Sequence, residues 1–276
     1  MKKPNQYGFS SKGPSTAAIH SIKLGRRLGA GAHSDVYEGV LGEKTYAIKI
    51  HKGSEPLDLA LQRFRREAAV HAGFTHEAIP QVYEVGLLKG RPYIITQLID
   101  GPPLADCVID GPRPLDSLMS CALTLADALA EVHARGTVHR DIKPGNVLLD
   151  QGGQFHLIDF GLAGHDEELI GDGAVGTLRY CAPEQLGILE RPIDRRSDLY
   201  ALGAVLYECA SGNPPFPAAD INELLHQQAA LTPPRLDEIM EGSCSVLADL
   251  IDKLLRKEPD ERYQTADALL ADLQGL

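Results

Sequence analysis

Four side chains widely separated in the chain, Lys49, Asp141, Asn146 and Asp159, have the types and settings that phosphate chemistry needs. Asp141, in the stretch His-Arg-Asp-Ile-Lys-Pro-Gly-Asn over 139–146, is a candidate general base, a carboxylate able to accept or orient a hydroxyl proton. Asn146 and Asp159 supply hard oxygen atoms from two different loops, the arrangement that Mg²⁺ prefers when phosphates and water complete its octahedron. Lys49 lies in an otherwise apolar strand pattern, Ala47-Ile48-Lys49, where burial without a partner would depress its pKa or destabilise the fold, so it requires anions nearby. Upstream, Gly29-Ala30-Gly31-Ala32-His33-Ser34-Asp35-Val36 puts small residues between two strand patterns, where backbone amides can approach phosphate oxygens closely. Each feature alone has a plainer reading: an ordinary turn for the glycine loop, a strand-edge lysine facing water for Lys49.

The elements that must position these groups fall into two regions. Short apolar runs predict strands at 22–28, 36–41, 45–50, 82–88 and 93–98. One helix interrupts them over about 57–72, with Leu61, Phe64, Ala68 and His71 along one side. After Asp100-Gly101-Pro102-Pro103 the pattern turns helical, and that shift marks a hinge beside which the active cleft is expected. Leu118, Cys121, Ala122, Leu125, Leu129 and Val132 recur at helical spacing, with Asp116 as N-cap and Gly136 as the stop. Further helices are expected near 197–211, 245–256 and 265–273, each opening at a capping residue.

Composition narrows the class. A chain of 276 residues with 43% apolar content suffices for one catalytic domain of two lobes. No apolar run of membrane-spanning length or hydrophobic signal segment appears, which predicts a cytoplasmic protein without a membrane segment. Five dispersed cysteines fit reduced thiols better than a disulfide framework or a zinc site. A formal charge of -11 repels nucleic acid, and the Arg63, Arg65 and Arg66 cluster reads as a solvated helix face.

The octet at 139–146, followed in order by Asp159-Phe160-Gly161 and Ala182-Pro183-Glu184, resembles the eukaryotic-like (Hanks-type) serine/threonine protein kinases over roughly residues 20 to 276. Arg-Phe-Arg-Arg-Glu-Ala and Arg-Tyr-Cys-Ala-Pro-Glu-Gln give it the style of the bacterial branch. The resemblance implies an α+β, bilobal protein-kinase-like fold. Residues 1–18 would form a disordered tail, 19–98 a small antiparallel β lobe with one helix, and 99–276 a larger, mainly helical lobe.

By the same resemblance, the chain transfers the γ-phosphoryl group of ATP, with Mg²⁺ or Mn²⁺, to Ser or Thr hydroxyls of protein substrates, itself included. Asp141 is then the base, Lys143 sits against the transferred phosphoryl, and Lys49 pairs with Glu67 and the ATP phosphates. Asn146 and Asp159 hold the metal, while Leu28, Gly29, Ala30, Gly31, Val36, Ala47, Thr96, Gln97 and Leu98 surround the nucleotide. Ser34 replaces the family's third glycine, tolerable unless that position needs a positive φ. Lys143 with Gly176-Thr177 favours Ser/Thr over Tyr acceptors. Glu184 is expected to pair with Arg262, and Asp198 to hold the catalytic-loop backbone. His139 is read as packing; Asp166, Glu167 or Glu168 is expected to substitute for an activating phosphate, or the loop to order without one. Two alternatives stand beside this reading: a pseudokinase scaffold that binds nucleotide, and a small-molecule phosphotransferase of related fold.

Overall fold

The computed structural model describes residues 22–109, 111–163, 175–239 and 245–276. The chain divides into two compact units, one ending at Asp100 and the other beginning at Gly101.

In the first unit, strands β1 (Lys23–Ala30), β2 (Ser34–Leu41), β3 (Lys44–His51), β4 (Val82–Leu88) and β5 (Arg91–Gln97) form one antiparallel sheet in the order β1-β2-β3-β5-β4. Alternation along β3 sends Tyr46, Ile48 and Ile50 to one face, where they pack with Tyr93 and Ile95. The opposite face is covered by α1 (Leu57–His71), whose Phe64 and Ala68 pack on Val82 and Ile94. Ala60, not Leu61, joins Phe64, Glu67, Ala68 and His71 on the buried side of α1; Leu61 is only partly buried. The glycine loop is shorter than expected, because β1 runs to Ala30 and β2 starts at Ser34, and the Gly31 N–H closes the turn on the Ser34 carbonyl at 2.8 Å. Ser34 is absent from the positive-φ residues, so serine is unstrained there.

The second unit contains α2 (Leu104–Val108), α3 (Leu115–Ala134), the hairpin β6 (Val147–Leu149) and β7 (Phe155–Leu157), α4 (Val175–Leu178), α5 (Arg195–Ser211), α6 (Ile221–Ala230), α7 (Leu236–Ile239), α8 (Ser245–Leu254) and α9 (Ala266–Gln274). Helix α5 is its axis: every residue from Ser197 to Tyr207 is buried, and α3 and α8 pack against it. Of the four expected caps one holds and two move, while the fourth, Ser245, is the first residue of α8 and adjoins residues outside the described ones. Thr265 caps α9 through the Ala268 N–H, as its sequence position implies. Helix α3 instead starts after Pro114, leaving Asp116 in the first turn where its charge favours the helix dipole. Helix α5 starts after Asp194, whose side chain accepts from the Arg196 N–H, and this releases Ser197 for a different bond. Gly136, at φ 69°, ends the α3 segment as read.

Two glycines mark close approaches. A Cβ on Gly101 would land on the Leu149 carbonyl, in the segment where Leu149 N–H bonds the Pro102 carbonyl at 3.0 Å. A Cβ on Gly203 would meet Leu254 Cβ at 2.7 Å, where α5 and α8 touch. Gly203→Ala is expected to cost roughly 1–3 kcal/mol of folding stability through overpacking, read as a lower urea midpoint with unchanged m-value.

Candidate active site

In the first unit the site residues are placed by register. Lys49 stands opposite Val36 and Ile94, and Ala47 opposite Thr96, so Val36, Ala47, Lys49 and Thr96 share the sheet face that α1 covers. Lys49 Nζ lies 2.7 Å from Glu67 Oε1 on α1, with side chains only 18% and 10% exposed. At that shielding the pair is stronger than a surface ion pair. Gln97 pairs with Tyr46 and so belongs to the other face. Its N–H donates to the Gln81 carbonyl at 2.8 Å. Gly29 and Ala30 lie within β1 itself and Leu28 is exposed there, while Leu98 follows the end of β5.

In the second unit the candidate catalytic residues lie on the irregular stretch between α3 and β6. Asp141 is gripped on three sides: Lys143 Nζ donates to both carboxylate oxygens at 2.9 and 2.8 Å, and Asn146 Nδ2 donates to Oδ2 at 2.8 Å. The same Asn146 nitrogen bonds the Asp141 carbonyl, which turns the Asn146 oxygen away from Asp141. Asn146 belongs to a 3-10 turn, Pro144–Asn146, and its carbonyl accepts from the Ile158 N–H at 2.9 Å, tying this turn to the segment that carries Asp159. Asp159 has φ 62°, and its Oδ1 accepts from Gly161 N–H at 3.1 Å. The two oxygen-bearing side chains fit a hard divalent cation that carries phosphates.

Asp198, 1% exposed on α5, holds this loop. Its Oδ1 accepts from Arg140 N–H and its Oδ2 from His139 N–H, each at 2.8 Å, and His133 Nε2 reaches Oδ2 at 2.8 Å. Arg140 takes φ 68° under this constraint. His139 is fully buried with its ring 4.7 Å from that of Phe160, and burial holds its pKa below the usual histidine range, so it packs and does not exchange protons near neutrality.

Beyond the loop lies a buried polar network. Arg262 donates to both Glu184 oxygens at 2.7 and 2.8 Å with neither side chain exposed. Its other donors reach the carbonyls of Arg196, Arg256 and Lys257. Ser197 Oγ, freed from capping, donates to Glu184 Oε1. Gln185 ties the Ala182 N–H to the Arg140 carbonyl, and Gln228 joins the Cys181 carbonyl to the Tyr200 hydroxyl. Burial, then the Asp141 charge, pushes the Cys181 thiol up to about 12, so it is no nucleophile. His133, Gln185 and Gln228 were missed in the sequence, which gives no spacing signal for a residue that pairs one loop carbonyl or carboxylate. The acidic residues 166–168 and Cys244 lie outside the described residues, as does the N-terminal tail.

A sheet unit with a shielded Lys–Glu pair and a helical unit presenting an Asp–Lys–Asn cluster define the class, and comparison with known proteins names it. Residues 22–273 match the protein kinase domain, and the chain belongs to that family, whose members use ATP and a divalent metal. It is similar to the serine/threonine-protein kinase PknB of Mycobacterium leprae, 34% identical over 263 residues, covering 91% of this chain and 42% of the relative. The DNA damage-responsive serine/threonine-protein kinase RqkA of Deinococcus radiodurans is 36% identical over 267 residues, covering 93% and 39%. The serine/threonine-protein kinase PknL of Mycobacterium tuberculosis is 31% identical over 260 residues, covering 91% and 64%. The chain thus spans about two fifths of the length of the first two relatives.

Removing one partner of the Glu184–Arg262 pair strands a buried charge, so Glu184→Ala is expected to cost about 3–5 kcal/mol in urea unfolding. Lys257 gives a pH test. Its ammonium lies over the Phe216 ring at 3.9 Å without a hydrogen-bond partner among the described residues, and burial, then repulsion from Arg262, lowers its pKa from 10.5 to about 8. Between those values the unfolded chain holds a proton that the folded chain has lost, so stability should rise with pH across that window. Lys257→Met is accordingly expected to raise the urea midpoint at pH 7 and to lose most of that gain by pH 10.

Proposed function

We propose that this chain is a serine/threonine protein kinase that moves the γ-phosphoryl group of ATP, complexed with Mg²⁺ and with Mn²⁺ as a substitute, to Ser and Thr hydroxyls of proteins, including its own. The observation that carries the reading is the Asp141 carboxylate fixed between Lys143 and Asn146 on a loop anchored to α5. All four groups that the chemistry requires, Lys49, Asp141, Asn146 and Asp159, are retained. The retention leaves the scaffold alternative without support.

In this assignment Asp141 accepts the hydroxyl proton as the new O–P bond forms and the bond to ADP breaks. Lys143, now forked on Asp141, gives up one contact to meet the phosphoryl oxygens, so negative charge leaving one acceptor reappears at the next. Lys49, held by Glu67, neutralises the non-transferred phosphates, and Asn146 and Asp159 present oxygen to the metal that offsets the charge of the triphosphate. Val36, Ala47 and Thr96, on the Lys49 face of the sheet, line the base, with Leu28, Gly29, Ala30, Gly31, Gln97 and Leu98 beside it. The Ala182-Pro183-Glu184 segment, braced by Arg262, suits a peptide acceptor better than a small metabolite. A cytoplasmic location and residues 19–98 and 99–276 as the two lobes complete the proposal. Among the described residues no helix is long and apolar enough to cross a membrane.

Purified protein incubated with labelled ATP, Mg²⁺ and a general protein substrate should incorporate phosphate on Ser and Thr, and an Asp141→Asn variant should not. Incorporation by both would indicate a contaminant, and by neither would overturn the catalytic reading. Lys49→Met is expected to lower turnover by roughly a hundredfold or more while the protein still folds; near-normal turnover would remove Lys49 from the mechanism.

A further inference from the structure

Lys49 and His51 are two residues apart on β3 and so face the same way, toward α1. Lys49 meets α1 through Glu67, and His51 meets it by a separate route. The His51 side chain is only 2% exposed. The Gly53 N–H donates to His51 Nδ1 at 3.0 Å, and since a backbone N–H can only donate, Nδ1 is the acceptor and the ring proton lies on Nε2. That N–H then donates to Glu55 Oε1 at 3.0 Å. The Glu55 carboxylate also takes the Arg63 guanidinium at 3.2 Å, and the His51 ring meets Phe64 edge to face, centroids 5.9 Å apart. Arg63 and Phe64 lie one turn before Glu67 on α1. Gly53 sustains the arrangement by taking φ 86°, a turn that brings its N–H back onto the His51 ring.

These contacts close a ring: from Lys49 along β3 to His51, across to Glu55, onto α1 at Arg63 and Phe64, and back through Glu67 to Lys49. The Pro56 N-cap of α1 makes no side-chain capping bond, so the start of the helix has no competing polar tether of that kind. We propose that His51, Glu55 and Arg63 form a latch that fixes the rotation and height of α1 so that Glu67 meets Lys49, making His51 a positioning residue for phosphoryl transfer. Of the two polar links, the buried imidazole–carboxylate bond dominates. Arg63, about a third exposed, adds charge that orients Glu55. This inference rests on the kinase reading only for its catalytic consequence; the latch itself is a property of the first unit.

Two measurements test it. His51→Leu keeps an apolar side chain against Phe64 and removes both ring hydrogen bonds. Amide hydrogen exchange over α1 should accelerate about fivefold in that variant, the loss expected for one such bond. Unchanged exchange would overturn the latch whether or not the protein phosphorylates anything. In phosphorylation assays, His51→Leu should lower kcat about fivefold, His51→Gln, which retains a donor toward Glu55, should restore most of it, and His51→Leu added to Glu67→Gln should have no further effect. Multiplicative losses in the double variant, or a silent Glu67→Gln, would show that His51 does not act through the Lys49–Glu67 pair. Absence of activity in the wild-type protein would sink the kinase reading and leave the exchange result to decide the latch. Should His51→Leu not fold, Glu55→Ala, which removes the acceptor of both links, takes its place, with the same acceleration of exchange and the same loss of kcat expected.

Discussion

A carboxylate that is 1% exposed must find hydrogen-bond partners inside the protein, and Asp198 obtains three: the backbone N–H groups of His139 and Arg140 and the ring of His133. The geometry of the loop at 139–146 follows from that demand. Supplying two successive backbone N–H groups to one carboxylate forces Arg140 to φ 68°, a conformation costing an L-residue about 1–2 kcal/mol. Hydrogen bonds to a charged acceptor are worth about 1.5–3 kcal/mol each, so two of them outweigh the strain. Asp141 is the next residue, and its direction is set by that outcome before Lys143 or Asn146 touches it. The rigid partner in this arrangement is α5, buried along its length, which cannot move to relieve the loop.

The same physics explains why Glu184 and Arg262 are charged. A buried ion pair is often no more stable than a well-packed apolar pair of similar size. Here the comparison is different, because the guanidinium also serves the carbonyls of Arg256 and Lys257, which follow the end of α8 outside its ladder, together with that of Arg196 in the first turn of α5. An apolar replacement would take away the donors that the Arg256 and Lys257 carbonyls use. Exposed pairs such as Arg191–Glu258 and Arg235–Asp249 carry no such duty and contribute little.

How much of this was legible in the sequence varies with the kind of order involved. The five strands were read within a few residues because a half-buried antiparallel sheet imposes alternation, as in Tyr46, Ile48 and Ile50 against Ala47 and Lys49. Helix α3 was read from its single apolar stripe, whereas α5 is buried on all sides and shows no stripe, so its start was misplaced at Ser197. Helices α2, α4 and α7 have four or five residues, too few to complete two turns of any period. Helix α6 buries only Leu224 and Gln228. The Lys49–Glu67, Glu184–Arg262 and Asp198 contacts came from resemblance to a family, since no rule of spacing joins residues so far apart in the chain. Where that resemblance named no partner, as for His133, Gln185 and Gln228, the roles stayed hidden.

The two units position their polar groups by different means. In the sheet, register does it: a slip by one residue would turn Lys49, Ala47 and Val36 to the wrong face, so packing of Tyr46, Ile48 and Ile50 fixes the functional row as well. In the helical unit the functional loop has no register, and buried carboxylates and amides stand in for it. Helix α1 belongs to neither case. Its contacts with the sheet through Phe64, Ala68, Val82 and Ile94 are apolar and weakly directional, able to hold the helix down without fixing its rotation about its own axis. Rotation decides whether Glu67 points at Lys49, and only directional bonds can set it. The His51–Glu55–Arg63 contacts supply such bonds at the helix start and one turn before Glu67.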